Sequence, residues 1–236
     1  MTASDLRPPL VLLHGALGAA EQLQPLAELL AAHFRVLPLD FAGHGARPAA
    51  PDSWRLTHFA DNLAELIMAE NVAPARVFGY SMGGYAALTL AARRPELVEA
   101  VVTLGTKFFW DEATAAREAA RLDPATIQAK VPAFAAALAE RHAAGAGWEA
   151  VVRGTADVLH GLGREPLLTP EVLAGIRQPV RILVGDRDNT VSIEETAAAF
   201  RALPIAELGV LPNTQHPLER VDPTTLALHC QAFLGR

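Results

Sequence analysis

"GYSMGG", residues 79–84, sits between the apolar run "ARVF" (75–78) and the helix-like stretch "YAALTLAARR" (85–94). It matches G-x-S-x-G, and a strand before it and a helix after it are the context that motif requires. The glycines are needed because the turn is so tight that side chains there would clash, and the strain lifts the serine hydroxyl above the sheet. Ser81 is thereby presented as a nucleophile. The plainer reading of the same letters is a glycine-rich turn whose serine only caps the helix.

Outward from this turn, strand-like and helix-like stretches alternate. "PLVLLHG" (9–15), "FRVLPLD" (34–40), "ARVFGY" (75–80) and "VEAVVTLG" (98–105) are short apolar runs with the look of buried parallel strands. Between them, "EQLQPLAELLAAH" (21–33), "LTHFADNLAELIMAE" (56–70) and the stretch after Ser81 have helical spacing. The rhythm resumes with "PVRILVGD" (179–186), "IEETAAAFRAL" (193–203), "AELGVLP" (206–212) and a closing helix "PTTLALHCQAFL" (223–234). Such βαβ alternation predicts a parallel sheet flanked by helices. Residues 107–178 interrupt it: they are Ala-rich, carry helical spacing in "EATAAREAARL" and "VPAFAAALAERHAAG", and contain no β-branched run. They read as a helical insertion, with "GAG" (145–147) as a joint between two of its helices. The core is then 1–106 together with 179–236.

A serine hydroxyl attacks only when a base takes its proton, so a histidine and an orienting acid are required. On a strand–Ser–helix turn of this kind the chain order is Ser, then Asp or Glu, then His. Of eight histidines, His14, His33, His44 and His58 precede Ser81, and His142 and His160 lie in the insertion. His229 falls inside a helical pattern, whereas His216 lies in the turn-rich "LPNTQHPLE" just after the last strand. His216 is the better base. "VGDRDNTV" offers Asp186 and Asp188 as the acid; Asp186 directly follows the strand and suits a turn cap, while Asp188 is far enough out to reach the imidazole. Negative charge developing on a carbonyl oxygen needs backbone donors, and Met82 and Ala16, the latter in "HGALG" (14–18), stand where those amides belong.

Composition agrees with an enzyme of small molecules. The chain has 236 residues, 51% hydrophobic and 19% charged, with a net charge of −6 and no basic run suited to phosphates. No apolar stretch approaches the ~20 residues of a membrane span, and the first residues lack the pattern of a secretory signal. With one cysteine, Cys230, and no Cys/His spacing for zinc, the expectations are a cytoplasmic setting, no metal, no cofactor, and neither nucleic acid nor membrane as partner.

On "LLHGALG", "LDFAGHG", "GYSMGG", "GDRDNTV" and "NTQHPLE", the chain resembles the α/β-hydrolase fold superfamily over nearly its whole length. The resemblance implies a mostly parallel sheet, a serine nucleophile, an acid after the penultimate strand, a histidine after the last, and a helical cap where 107–178 stands. One departure is the short start: about eight residues precede "PLVLLHG", too few for the antiparallel hairpin common in that family, so about six strands are expected. The implied activity is cleavage of a small carboxylic ester or related acyl substrate through an acyl-enzyme. A lyase or carbon–carbon hydrolase with the same three residues, and a hydrolase-like receptor with little turnover, are the alternatives. Tyr85, where related lyases often carry Arg, weakens the lyase. Phe108, Phe109 and Trp110 either wall the substrate site or fasten the cap to the sheet.

Overall fold

The computed structural model describes residues 7–50 and 52–236. Six strands form one fully parallel sheet: β1 (Pro9–Leu13), β2 (Arg35–Leu39), β3 (Ala75–Tyr80), β4 (Val98–Leu104), β5 (Val180–Gly185) and β6 (Ala206–Leu211), in the order β2-β1-β3-β4-β5-β6. The order reverses at β1, so helices are laid on both faces. Alternation along each strand shows why both faces are apolar. Leu10 and Leu12 of β1 join Phe78, Val102 and Leu183 on one face, under α1 (Gln24–Leu30) and α10 (Pro223–Leu234). Val11 and Leu13 join Val77, Val101 and Ile182 on the other, under α2 (Leu56–Ala69), α3 (Met82–Arg93) and α9 (Ile193–Ala202). The strands and flanking helices expected from hydrophobic spacing are all present, except that 20–33 divides into a 3₁₀ turn (Ala20–Leu23) and α1, with Pro25 in its first turn.

Between β4 and β5 run α4 (Glu112–Ala119), α5 (Pro124–Lys130), α6 (Pro132–Arg141), α7 (Trp148–Arg164) and α8 (Pro170–Gly175). Asp111, Asp123 and Thr169 start α4, α5 and α8 by accepting backbone N–H bonds with their side chains. The turn at 142–147 joins α6 and α7, and Gly147 holds φ +82° there. Ile127, Ala135, Leu138, Val151 and Val152 form a small apolar cluster of their own, completed from the sheet side by Leu17 and Trp54. Trp148 packs against this cluster. Among the described residues, no helix is long and apolar enough to cross a membrane.

Candidate active site

β3 runs into Ser81, whose amide still donates to the Leu104 carbonyl of β4 (2.8 Å), and α3 begins one residue later. Ser81 has φ +50° and ψ −114°, outside the comfortable regions for a residue with a side chain. Its side chain makes no capping bond to α3, which leaves the helix-cap reading without its defining contact. The two motif glycines are required by close approach. A Cβ on Gly79 would run into the backbone of Gly83 and Gly84, and one on Gly83 would stand 2.6 Å from the His14 carbonyl oxygen. The Thr106 hydroxyl donates to the Ser81 carbonyl (3.0 Å) and braces the turn from β4.

The loops after β5 and β6 meet above this turn. His216 Nε2 lies 3.4 Å from Ser81 Oγ, and His216 Nδ1 lies 2.7 Å from Asp188 Oδ2. The other Asp188 oxygen accepts the amides of Thr190 and Val191, each at 2.8 Å. Burial pushes the Asp188 carboxyl up, but the His216 hydrogen bond and charge and these two amides outweigh it and hold it below its ordinary value. Asp186 does something else: its Oδ1 accepts the Thr214 amide at 3.2 Å and ties the β5 loop to the β6 loop. His229 is far along α10 in sequence and makes no contact with Ser81 or Asp188.

Ala16 and Met82 border the same cavity as Ser81 and His216. Neither backbone amide donates to a protein acceptor among the described residues, so both are available to a ligand oxygen. Met82 also opens α3, where the helix dipole favours negative charge. Tyr80, the residue before the nucleophile, donates its hydroxyl to the His216 carbonyl (2.8 Å) and lays its ring 5.5 Å from the imidazole. Burial and the nearby Glu219 and Asp188 carboxylates push that phenol well above its usual value, so it remains a donor.

The cavity has a volume of about 220 Å³ and is mostly apolar, walled by Leu17, Leu56, Met82, Val158 and Leu162. Trp110 joins that wall, but Phe108 is 6% exposed within the core and Phe109 is 59% exposed at the surface. Of the three aromatics proposed for substrate contact, only Trp110 is therefore in position. The cause is Glu195 of α9, whose Oε1 takes the amides of Phe108 and Phe109 (2.7 and 2.6 Å) and sets the direction of the chain there. Residues of α7 that no motif marks, Thr155, Val158, Leu159 and Leu162, also line the cavity. Their three- and four-residue spacing was the available signal. A larger surface groove of about 560 Å³ along α7 shares Leu56, Val158 and Leu162 but includes none of Ser81, Asp188 and His216. Among the described residues, no three His, Cys, Asp or Glu side chains are grouped to hold a metal ion.

Comparison with known proteins places this geometry. A family model described as "Alpha/beta hydrolase family" matches residues 10–226. The pimeloyl-[acyl-carrier protein] methyl ester esterase of Chromobacterium violaceum is 31% identical over 226 residues, 89% of this chain and 87% of that protein. The (E)-2-((N-methylformamido)methylene)succinate hydrolase of Acinetobacter baylyi is 35% identical over 111 residues, which span 47% of this chain and only 41% of that protein. The crystal structure of E-2-(acetamidomethylene)succinate hydrolase superposes with a TM-score of 0.79 at 23% identity, covering 97% of this chain and 92% of the other, and speaks for the fold.

Proposed function

Because the chain belongs to the alpha/beta hydrolase family, we propose that it is a serine hydrolase cleaving a small carboxylic ester or related acyl compound through an acyl-enzyme. The relatives it matches are hydrolases by name, which supports an enzyme of that class. The observation that carries the finer reading is the continuous line of contacts from Ser81 Oγ through His216 (3.4 Å) to Asp188 (2.7 Å), at the edge of an apolar cavity.

Each step has a group placed for it. Ser81 Oγ attacks the acyl carbon while His216 Nε2 takes its proton; Asp188 holds the other ring nitrogen protonated and stabilises the imidazolium. The tetrahedral oxygen accepts from the Ala16 and Met82 amides. Collapse expels the alcohol with the proton held on His216, and water then attacks the acyl-enzyme with His216 again as base, releasing the acid and restoring Ser81. On this reading residues 107–178 are a cap, and α4 and α7 shape the room for the acyl group.

The test is steady-state hydrolysis of a series of short-chain esters. Ser81→Ala should lower turnover by on the order of 10⁶, with the thermal midpoint nearly unchanged because the serine side chain makes no capping bond to α3 and its contact with His216 is long, at 3.4 Å. Retention of wild-type turnover by Ser81→Ala would sink the proposal.

A further inference from the structure

The charged lining of the Ser81 cavity is not explained by ester cleavage alone. Lys107 lines it, three residues beyond the end of β4, with its side chain only 14% exposed. An ammonium held against apolar walls is costly unless its charge is used. One of its three N–H groups donates to Glu195 Oε2 (3.2 Å), and the charge lies 5.9 Å from the centre of the Trp110 ring. No other described side chain or carbonyl accepts from Lys107.

Glu195 does not depend on the lysine. It lies behind the cavity wall, 13% exposed, and already receives the two amides of Phe108 and Phe109. Its negative charge is shared among three donors, and the ammonium keeps two donors for a partner inside the cavity. The remaining charged lining residues are Glu118 and Arg121, which pair with each other at 3.1 Å; Arg117 also binds Glu118 (3.3 Å). Counting Lys107 and Arg121 against Glu118, the side chains that line the cavity carry one net positive charge, which the ion pair of Lys107 with Glu195 behind the wall offsets in part.

We propose that Lys107 forms an anion subsite, and that the preferred substrate is an acyl compound bearing a second carboxylate at the far end of a short chain. The inference rests on the reading of Ser81 as nucleophile and deepens it. The reacting carbonyl sits at Ser81 with its oxygen toward Ala16 and Met82, the methylenes lie along Val158, Leu162 and Trp110, and the carboxylate meets the ammonium. A cavity of about 220 Å³ suits the acyl chain of a mono-ester of a short dicarboxylic acid.

The experiment compares two substrates matched in length, the monomethyl ester of adipic acid and the methyl ester of hexanoic acid. Wild-type enzyme should prefer the anionic ester in kcat/KM. Lys107→Met should lower the ratio of anionic to neutral kcat/KM by about tenfold or more, the loss expected for one hydrogen bond to a charged group. Lys107→Arg should restore much of it. The wild-type arm decides even if Lys107→Met fails to fold: equal or better hydrolysis of the neutral ester overturns the subsite. A ratio unmoved by Lys107→Met also overturns it. Failure of the nucleophile reading looks different, because Ser81→Ala would then keep turnover of both esters whatever their ratio.

Discussion

At the scale of single residues, the site is built from strained or buried groups whose neighbours define their roles. Ser81 holds its left-handed backbone because Gly79 and Gly83 let adjacent chains close in and Thr106 fixes its carbonyl. The two aspartates after β5 are separated by what they touch. Asp188, with 2% of its side chain exposed, contacts the imidazole, while Asp186 accepts a loop amide. Asparagine at 188 can donate as well as accept and favours the wrong imidazole tautomer, so Asp188→Asn should lower turnover by ~10⁴. Asp186→Asn keeps an acceptor for Thr214 and should cost stability of roughly 1 kcal/mol or less. Steady-state turnover of both variants on one ester is the check; the opposite ranking would assign the acid to Asp186.

At the scale of elements, α6 is coupled to the loop after β1. Arg141 Nη1 and His142 Nε2, at the end of α6, both donate to the Leu17 carbonyl, at 3.2 and 3.1 Å. Leu17 has φ +58° and follows Ala16, which lines the cavity, so helix α6 helps to hold one of the two residues proposed as oxyanion donors. Full removal of such a donor costs about 10²–10³ in turnover. His142→Ala, which loosens the donor without removing it, should lower kcat by roughly tenfold with a smaller change in KM. An unchanged kcat would show that α6 does not set the donor. The same elements mark how far the sequence could be read. Strands and flanking helices were legible because period-two and period-3.6 apolar patterns record burial directly, and Ser81, Asp188 and His216 because turn chemistry restricts where they can stand. Phe108, Phe109 and Trp110 were not, since their directions depend on Glu195, some 86 to 87 positions away for the two phenylalanine amides. Lys107 and the cavity face of α7 escaped for the same reason: no local pattern says which helix face a distant nucleophile will meet.

At the scale of the whole molecule, three buried histidines make folding sensitive to acid. Burial lowers His14 to about 4, against the nearby Asp40 that favours its charged form. Burial also lowers His44, beside His14 and His142, and it lowers His142. The Phe41 amide donates to His14 Nε2 (3.2 Å) and the Gly45 amide to His142 Nδ1 (3.0 Å), bonds that a protonated ring nitrogen cannot accept. The unfolded chain takes up these protons near pH 6.5 and the folded one at lower pH, so the unfolded state binds more protons in between. Stability from this source is full above pH 6.5 and is lost as pH falls toward 4. Urea unfolding between pH 7 and 4.5 should show free energies falling by up to ~1.4 kcal/mol per pH unit for each proton taken up. A flat profile would mean that the cluster is already charged in the folded state. The central claim, that Ser81 carries the acyl group, is tested most directly by the mass of the intact protein after exposure to a fluorophosphonate, followed by mapping of the modified peptide. One adduct per chain on the peptide containing Ser81, lost in Ser81→Ala and slowed in His216→Ala, is the predicted result; an unmodified protein that still turns over esters, or an adduct on another residue, would contradict it.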